Sequence, residues 1–64
     1  MRTFLDRLIT EKDELEDKLD KLNSFIANNS LFSKLSDYEK TLMVIQLNNM
    51  MQYSYILGER IKLN

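Results

Sequence analysis

The chain has no cysteine, no histidine, no proline, no tryptophan and a single glycine. Without cysteine there can be no disulfide framework, and without cysteine or histidine neither a Cys/His zinc site nor thiol chemistry can be built. The missing histidine also removes the commonest general base, so Ser24, Ser30, Ser33, Ser36 and Ser54 have no partner to activate them as nucleophiles. Carboxylates are present, but they cluster among lysines on the charged faces of the first half of the chain, away from any evident pocket. Asp13, Glu14 and Asp17 lack the loop geometry of a calcium site. Catalysis, a metal site and a cofactor are therefore not expected. An excess of one charge sign is also missing: 9 Lys and Arg against 10 Asp and Glu leave a net charge of -1, with no global attraction to nucleic acid or anionic lipid. No apolar run approaches the ~18 residues of a membrane span. The opening stretch MRTFLDRLITEKDE turns acidic too early for the apolar core of a secretory signal. A cytoplasmic protein with no membrane association is expected.

What the chain does have is a hydrophobic content of 44% in 64 residues, enough for one small domain over residues 1–64. A domain of this size buries only about 60% of the surface its unfolded chain exposes, so it needs outside support. With staples absent, self-association is the remaining common route.

Leu5, Leu8, Leu15, Leu19, Leu22 and Ile26 recur at spacings of three, four and seven, which trace one stripe of a helix expected over about residues 2–27. Lys12 occupies the seam position between Leu8 and Leu15. It either sets register as a polar seam residue or lays its stem along the groove with the ammonium in water. Arg7 with Glu11, Glu14 with Lys18, and Asp17 with Lys21 are opposite charges four apart and read as a solvated face. Asn28 and Asn29 suit the helix end, since asparagine tolerates the left-handed conformation. Leu31, Phe32 and Leu35 then predict a short helical turn over about 31–35 whose apolar side chains plug the end of the molecule. Ser36 with Glu39 has capping-box spacing, placing a second helix over about 37–63. Gly58, the one glycine, suggests a close helix contact.

Matched lengths and a short connection predict an all-α antiparallel two-helix hairpin. In the second helix Met43, Leu47, Met50, Leu57 and Ile61 form the stripe that can face the first. Val44, Met51 and Tyr55 form another, and Leu42, Ile45, Ile56 and Leu63 lie on the opposite side. A helix apolar around most of its circumference is buried on several sides. One partner helix cannot cover it, so assembly of hairpins into a homo-oligomeric helical bundle is expected, with a dimer as the minimum.

Gln46, Asn49, Tyr53 and Arg60 follow at three, four and seven residues and share a face of the second helix, with Ile56 filling the gap before Arg60. Such a row can bind a nucleotide: the ring stacks on a base, the amides bond its polar edge and Arg pairs with phosphate. It can equally serve an oligomer interface, with Arg60 pairing a carboxylate of the first helix. Lys40, Arg7 and Arg2 are further candidates for phosphate contacts.

The framework FLDRLITEKDELEDKLDKLNSFI followed by LFSKLSDYEKTLMVIQLNNMMQYSYILGERI resembles small helical-hairpin proteins of tailed phages, including crAss-like phages. Arg7, Leu8, Lys21, Leu22, Phe25, Gln46, Met50, Tyr53 and Arg60 carry the resemblance. The architecture also resembles phage anti-CBASS and anti-Thoeris sponge proteins in size, hairpin form and a late arginine. That resemblance implies an immune-evasion sponge, acting in the host cytoplasm, that sequesters a cyclic nucleotide or cyclic ADP-ribose-type signal at subunit interfaces without cleaving it. Two other classes stay open: a hairpin adaptor or inhibitor of a host or phage protein, and an RNA-binding hairpin dimer similar to Rop. RNA is the weaker of these, because Lys12, Lys18 and Lys21 are flanked by acids and form no basic stripe.

Overall fold

The computed structural model describes residues 3–64. Three helices follow in order: α1 (Phe4–Asn28), α2 (Ser30–Ser33) and α3 (Asp37–Lys62). The long helices α1 and α3 pack against each other as the expected hairpin, in a body of 45 × 17 × 14 Å. The first helix starts at Phe4 rather than at about residue 2, and Arg2, a candidate for a phosphate contact, lies outside the described residues.

Each helix end is set by a local hydrogen bond. Thr3 and Asp6 form a full capping box: the Asp6 N–H donates to Thr3 Oγ1 at 3.1 Å and the Thr3 N–H to Asp6 Oδ2 at 3.3 Å. Before α3, the Glu39 N–H donates to Ser36 Oγ at 3.1 Å, which is the Ser36 half of the capping box that the spacing predicted; Ser36 is the N-cap, and the reciprocal bond to the Glu39 carboxylate is not made. The end of α1 differs in mechanism from the expectation. No described non-glycine residue adopts positive φ, and Asn29 is extended, with φ -91° and ψ 126°. Asn29 ends α1 through its N–H to the Phe25 carbonyl and starts α2 by accepting the Leu31 N–H on Oδ1 at 2.9 Å. The side chain acts as an N-cap, a role asparagine fills as readily as the left-handed one.

The α1 seam and the Met43 to Ile61 stripe of α3 are the faces that meet, and every residue named in those two stripes is buried or half-buried. Leu8, Leu15 and Leu57 form the buried core, with Leu57 at 0% exposure and Met50 and Ile61 packed against them. Lys12 resolves in favour of the stem in the groove: its side chain lies beside Gly58 and its ammonium pairs with Glu16, one turn along. Gly58 thus marks the close contact. A Cβ built there would stand 3.3 Å from Lys12 Cε. Of the three expected charge pairs, Asp17–Lys21 closes, at 3.1 Å, while Arg7–Glu11 and Glu14–Lys18 do not; Lys62–Glu59 forms in addition, at 3.3 Å. Exposed pairs of this kind contribute only tenths of a kcal/mol, so side-chain entropy and competing partners decide which form.

At the closed end, Phe32 meets Phe25 edge-on with centroids 6.3 Å apart, and the Lys40 ammonium lies 5.9 Å from the Phe32 ring centre. Phe32 and Leu35 are half-buried and make the plug, but Leu31 does not join it and is 56% exposed. The helical turn is α2, Ser30–Ser33, rather than 31–35, so Leu35 lies beyond it, and the adjacent Leu31 and Phe32 point about 100° apart and cannot both face the gap.

Leu57→Ala is expected to lose about 2–5 kcal/mol, as for other buried leucines, and to leave little folded protein in urea titration. Gly58→Ala is expected to gain up to about 1 kcal/mol of helix propensity, because the neighbouring Lys12 methylene is flexible and can shift. Gly58→Leu, which would wedge the helices apart, should instead lower the midpoint.

Candidate functional site

Helical spacing places Gln46, Asn49 and Tyr53 on one flank of α3, and there they line a groove of about 300 Å³ together with Leu42, Ile45 and Met50. The floor is aliphatic and the polar atoms are the two side-chain amides and one phenol. Such a lining can take a flat, partly apolar group and hydrogen-bond its edge. The volume is at the lower bound of small-molecule sites, the size of one base or nucleoside rather than a whole cyclic dinucleotide.

Tyr53 is not a free stacking ring. Its hydroxyl donates to the Glu11 carboxylate of α1, which fixes the ring at the groove's edge while leaving it 43% exposed. Glu11 is a positioning residue that sequence reasoning assigned to Arg7. The spacing of four gave a plausible helical ion pair, whereas Tyr53 is 42 residues away and reaches Glu11 only through the hairpin's register.

Arg60 does not make the pair with an α1 carboxylate that the interface alternative gave it. Its guanidinium carbon lies 5.9 Å from the centre of the Phe4 ring. Phe4, Arg7 and Glu11 are three and four residues apart on α1 and so share a flank. With Phe4 against Arg60 and Glu11 against Tyr53, Arg7 lies on that flank between the two cross-hairpin contacts, and its position is exposed. Arg7 and Arg60 therefore stand on the same side of the hairpin as the groove, but Arg60 is about 10 Å beyond Tyr53 along α3. Neither arginine lines the groove. Lys40, at the other end, is engaged with Phe32 and does not line it either. The structure thus brings together Gln46, Asn49 and Tyr53, and leaves Lys40, Arg7 and Arg60 outside.

The lining also includes Leu42 and Ile45, which the sequence pattern gave only as apolar residues left over beside the core stripe, and Met50 from that stripe. Their signal was exposure itself: Leu42 is 42% and Ile45 49% exposed in a single hairpin. A second, larger concavity of about 490 Å³ lies near the closed end, formed almost wholly by α1 residues including Asp17, Asp20, Lys21 and Phe25. Two carboxylates at its rim oppose an anionic ligand. Among the described residues no cluster of three or more His, Cys, Asp or Glu could hold a metal ion, and no helix is long and apolar enough to cross a membrane.

Tyr53→Phe should lower stability by about 0.5–1.5 kcal/mol, the net worth of an ordinary hydrogen bond. Tyr55→Phe, at a ring 68% exposed, should leave the urea midpoint nearly unchanged. Equal effects of the two variants would show that the bond to Glu11 does not hold the ring.

Comparison with known families matches residues 2–63 to a family described as Sequestin. No curated protein and no solved structure matches the chain.

Proposed function

The chain belongs to the Sequestin family, and from that premise we propose that it sequesters a small phosphate-bearing signal, a cyclic nucleotide or a cyclic ADP-ribose derivative, without cleaving it. The family's name denotes sequestration, a binding role rather than a catalytic one. The single observation that supports the ligand class is the groove: an aliphatic floor under the Gln46 and Asn49 amides and the Tyr53 ring, with Arg7 and Arg60 on the same flank. Base-sized apolar surface, edge-reading amides and nearby guanidinium groups are the three recognition elements a nucleotide requires.

In this reading the protein is a phage-encoded sponge of the host cytoplasm, and it works by stoichiometry. Each copy holds signal that would otherwise reach its receptor, so inhibition scales with the number of groove sites and needs no turnover. Copies associate through the apolar flanks of α3, where Val44, Met51 and Tyr55 on one side and Leu42, Ile45, Ile56 and Leu63 on the other are all exposed in the single hairpin. A groove the size of one base suits a ligand whose remainder is held by another subunit.

Isothermal titration with cyclic di- and trinucleotides and cyclic ADP-ribose isomers tests the ligand class. Saturable heat is expected from at least one of them, with the compound recovered intact by chromatography. Asn49→Leu should weaken that binding at least about tenfold, or ~1.4 kcal/mol, by replacing an edge-reading amide with an isosteric apolar group. A flat titration across the whole panel would sink the proposal. A single stoichiometric host protein captured by the same preparation would then favour the adaptor reading.

A further inference from the structure

The described residues that line the groove all belong to α3, and none of them is a cation. A phosphate seated there is met only by a positive group brought from elsewhere, and the register of the hairpin brings one from α1. Two contacts join the helices on this flank: Phe4 meets Arg60, and Glu11 meets Tyr53. Each is one heptad from the other on both helices, since Glu11 follows Phe4 by seven residues and Tyr53 precedes Arg60 by seven. A further step of seven sets Lys18 beside Gln46, within the span of the groove. The step keeps its face. An ideal helix drifts by about 20° per heptad. From Phe4 to Lys18 that drift turns the row away from the direction of Leu15, and from Arg60 to Gln46 it turns the row toward the direction of Leu57, so the two offset each other.

Lys18 also differs from its neighbours in being uncommitted. Of the three lysines of α1, Lys12 pairs with Glu16 and Lys21 with Asp17. Lys18 has Glu14 four residues before it, yet it is exposed and takes part in none of the ion pairs formed among the described residues. The other cations of the flank stand farther off: Arg60 lies against Phe4, one heptad past Tyr53, and Lys40 lies against Phe32.

We infer that Lys18 is a binding residue of this groove: its ammonium, on a flexible four-carbon stem, reaches across from α1 to a phosphate seated over the Gln46 and Asn49 amides. One hairpin then supplies both the polar edge and the cation, the first from α3 and the second from α1. That the phosphate belongs to a sequestered signal rests on the sequestration reading; the placement of Lys18 beside the groove does not. A lysine suits this position because it acts as a point charge with three rotatable donors and can follow whichever phosphate oxygen is presented. Glu11 and Glu14 precede it on the same flank, so the attraction is a local contact rather than a field of the whole surface. Such a contact between exposed groups weakens as salt is added.

Adenosine 5′-monophosphate and adenosine, which differ only in the phosphate, serve as probes. Each is titrated into the isotope-labelled full chain at low salt and followed by NMR at the Gln46 and Asn49 side-chain amides. Both are expected to shift these signals, the monophosphate binding about fivefold more tightly, the upper end for one exposed ion pair. Lys18→Gln should bring the two probes to equal affinity, and Lys18→Arg should keep the difference. Lys34→Gln, which removes the same charge from an exposed position at the closed end, should also keep it. Unmoved Gln46 and Asn49 amides with both probes, equal affinities in the unaltered protein, or a preference that survives Lys18→Gln would each overturn the assignment. A cyclic nucleotide bound equally well with and without Lys18 would overturn it too and leave sequestration standing. A Lys18-dependent preference for the monophosphate, beside a flat titration of every cyclic compound, would do the reverse.

Discussion

Everything in this molecule depends on how little a two-helix hairpin can bury. Each helix offers one stripe to the other, and the stripes meet at Leu8, Leu15 and Leu57, the only residues among those described that are both apolar and buried. Leu57 reaches full burial because the chain approaches closely beside it, at Gly58, where the missing Cβ leaves room for the Lys12 stem. With that contact set, the register of α3 against α1 follows. So does the identity of every side chain turned outward. A third or fourth helix would have covered the remaining apolar surface of α3; a hairpin leaves it bare.

The contacts on the exposed flank show how the hairpin handles its charges. Arg60 and Lys40 both lie over phenylalanine rings, one at each end of the row that carries the groove. An exposed cation held over a ring face gains only about 0.5–1 kcal/mol, so it is parked without being neutralised. A phosphate can draw such a cation away, because a charge-assisted hydrogen bond is the stronger interaction. Glu11 has a different effect. By accepting the Tyr53 hydroxyl it holds the ring at the edge of the groove, with the residue still 43% exposed. The aromatic, amide and guanidinium groups of this flank are thus organised by contacts between the two helices rather than within one.

Much of the fold was legible in the chain. The seam from Leu5 to Ile26 and the stripe from Met43 to Ile61 each have one spacing rule, and burial follows it residue by residue because helical periodicity leaves no freedom about which side chains share a face. Ser36 and its partner Glu39 were readable for the same reason, a cap being a local event. The misreadings share a cause. Asn29 has two roles available to asparagine, and the start of α2 selected the N-cap rather than the left-handed turn. Arg7 and Glu11 had the right spacing to pair, but Tyr53 took the carboxylate from across the hairpin. Arg60, offered a phosphate in one reading and a carboxylate in the other, lies against Phe4 in the hairpin.

The candidate site divides along the same line. The sequence by itself determined that Gln46, Asn49 and Tyr53 share a face, that this face belongs to a helix with too much apolar surface for one partner, and that no histidine or cysteine chemistry is available. All of these follow from 3.6 residues per turn and from composition. Only the tertiary structure decided that the face is a groove floored by Leu42, Ile45 and Met50, that Glu11 holds its tyrosine, and that Lys40, Arg7 and Arg60 stand outside it. Those outcomes depend on the register between helices. Register is fixed where Leu57 and Gly58 meet α1, by packing between residues more than forty positions apart that no local spacing encodes.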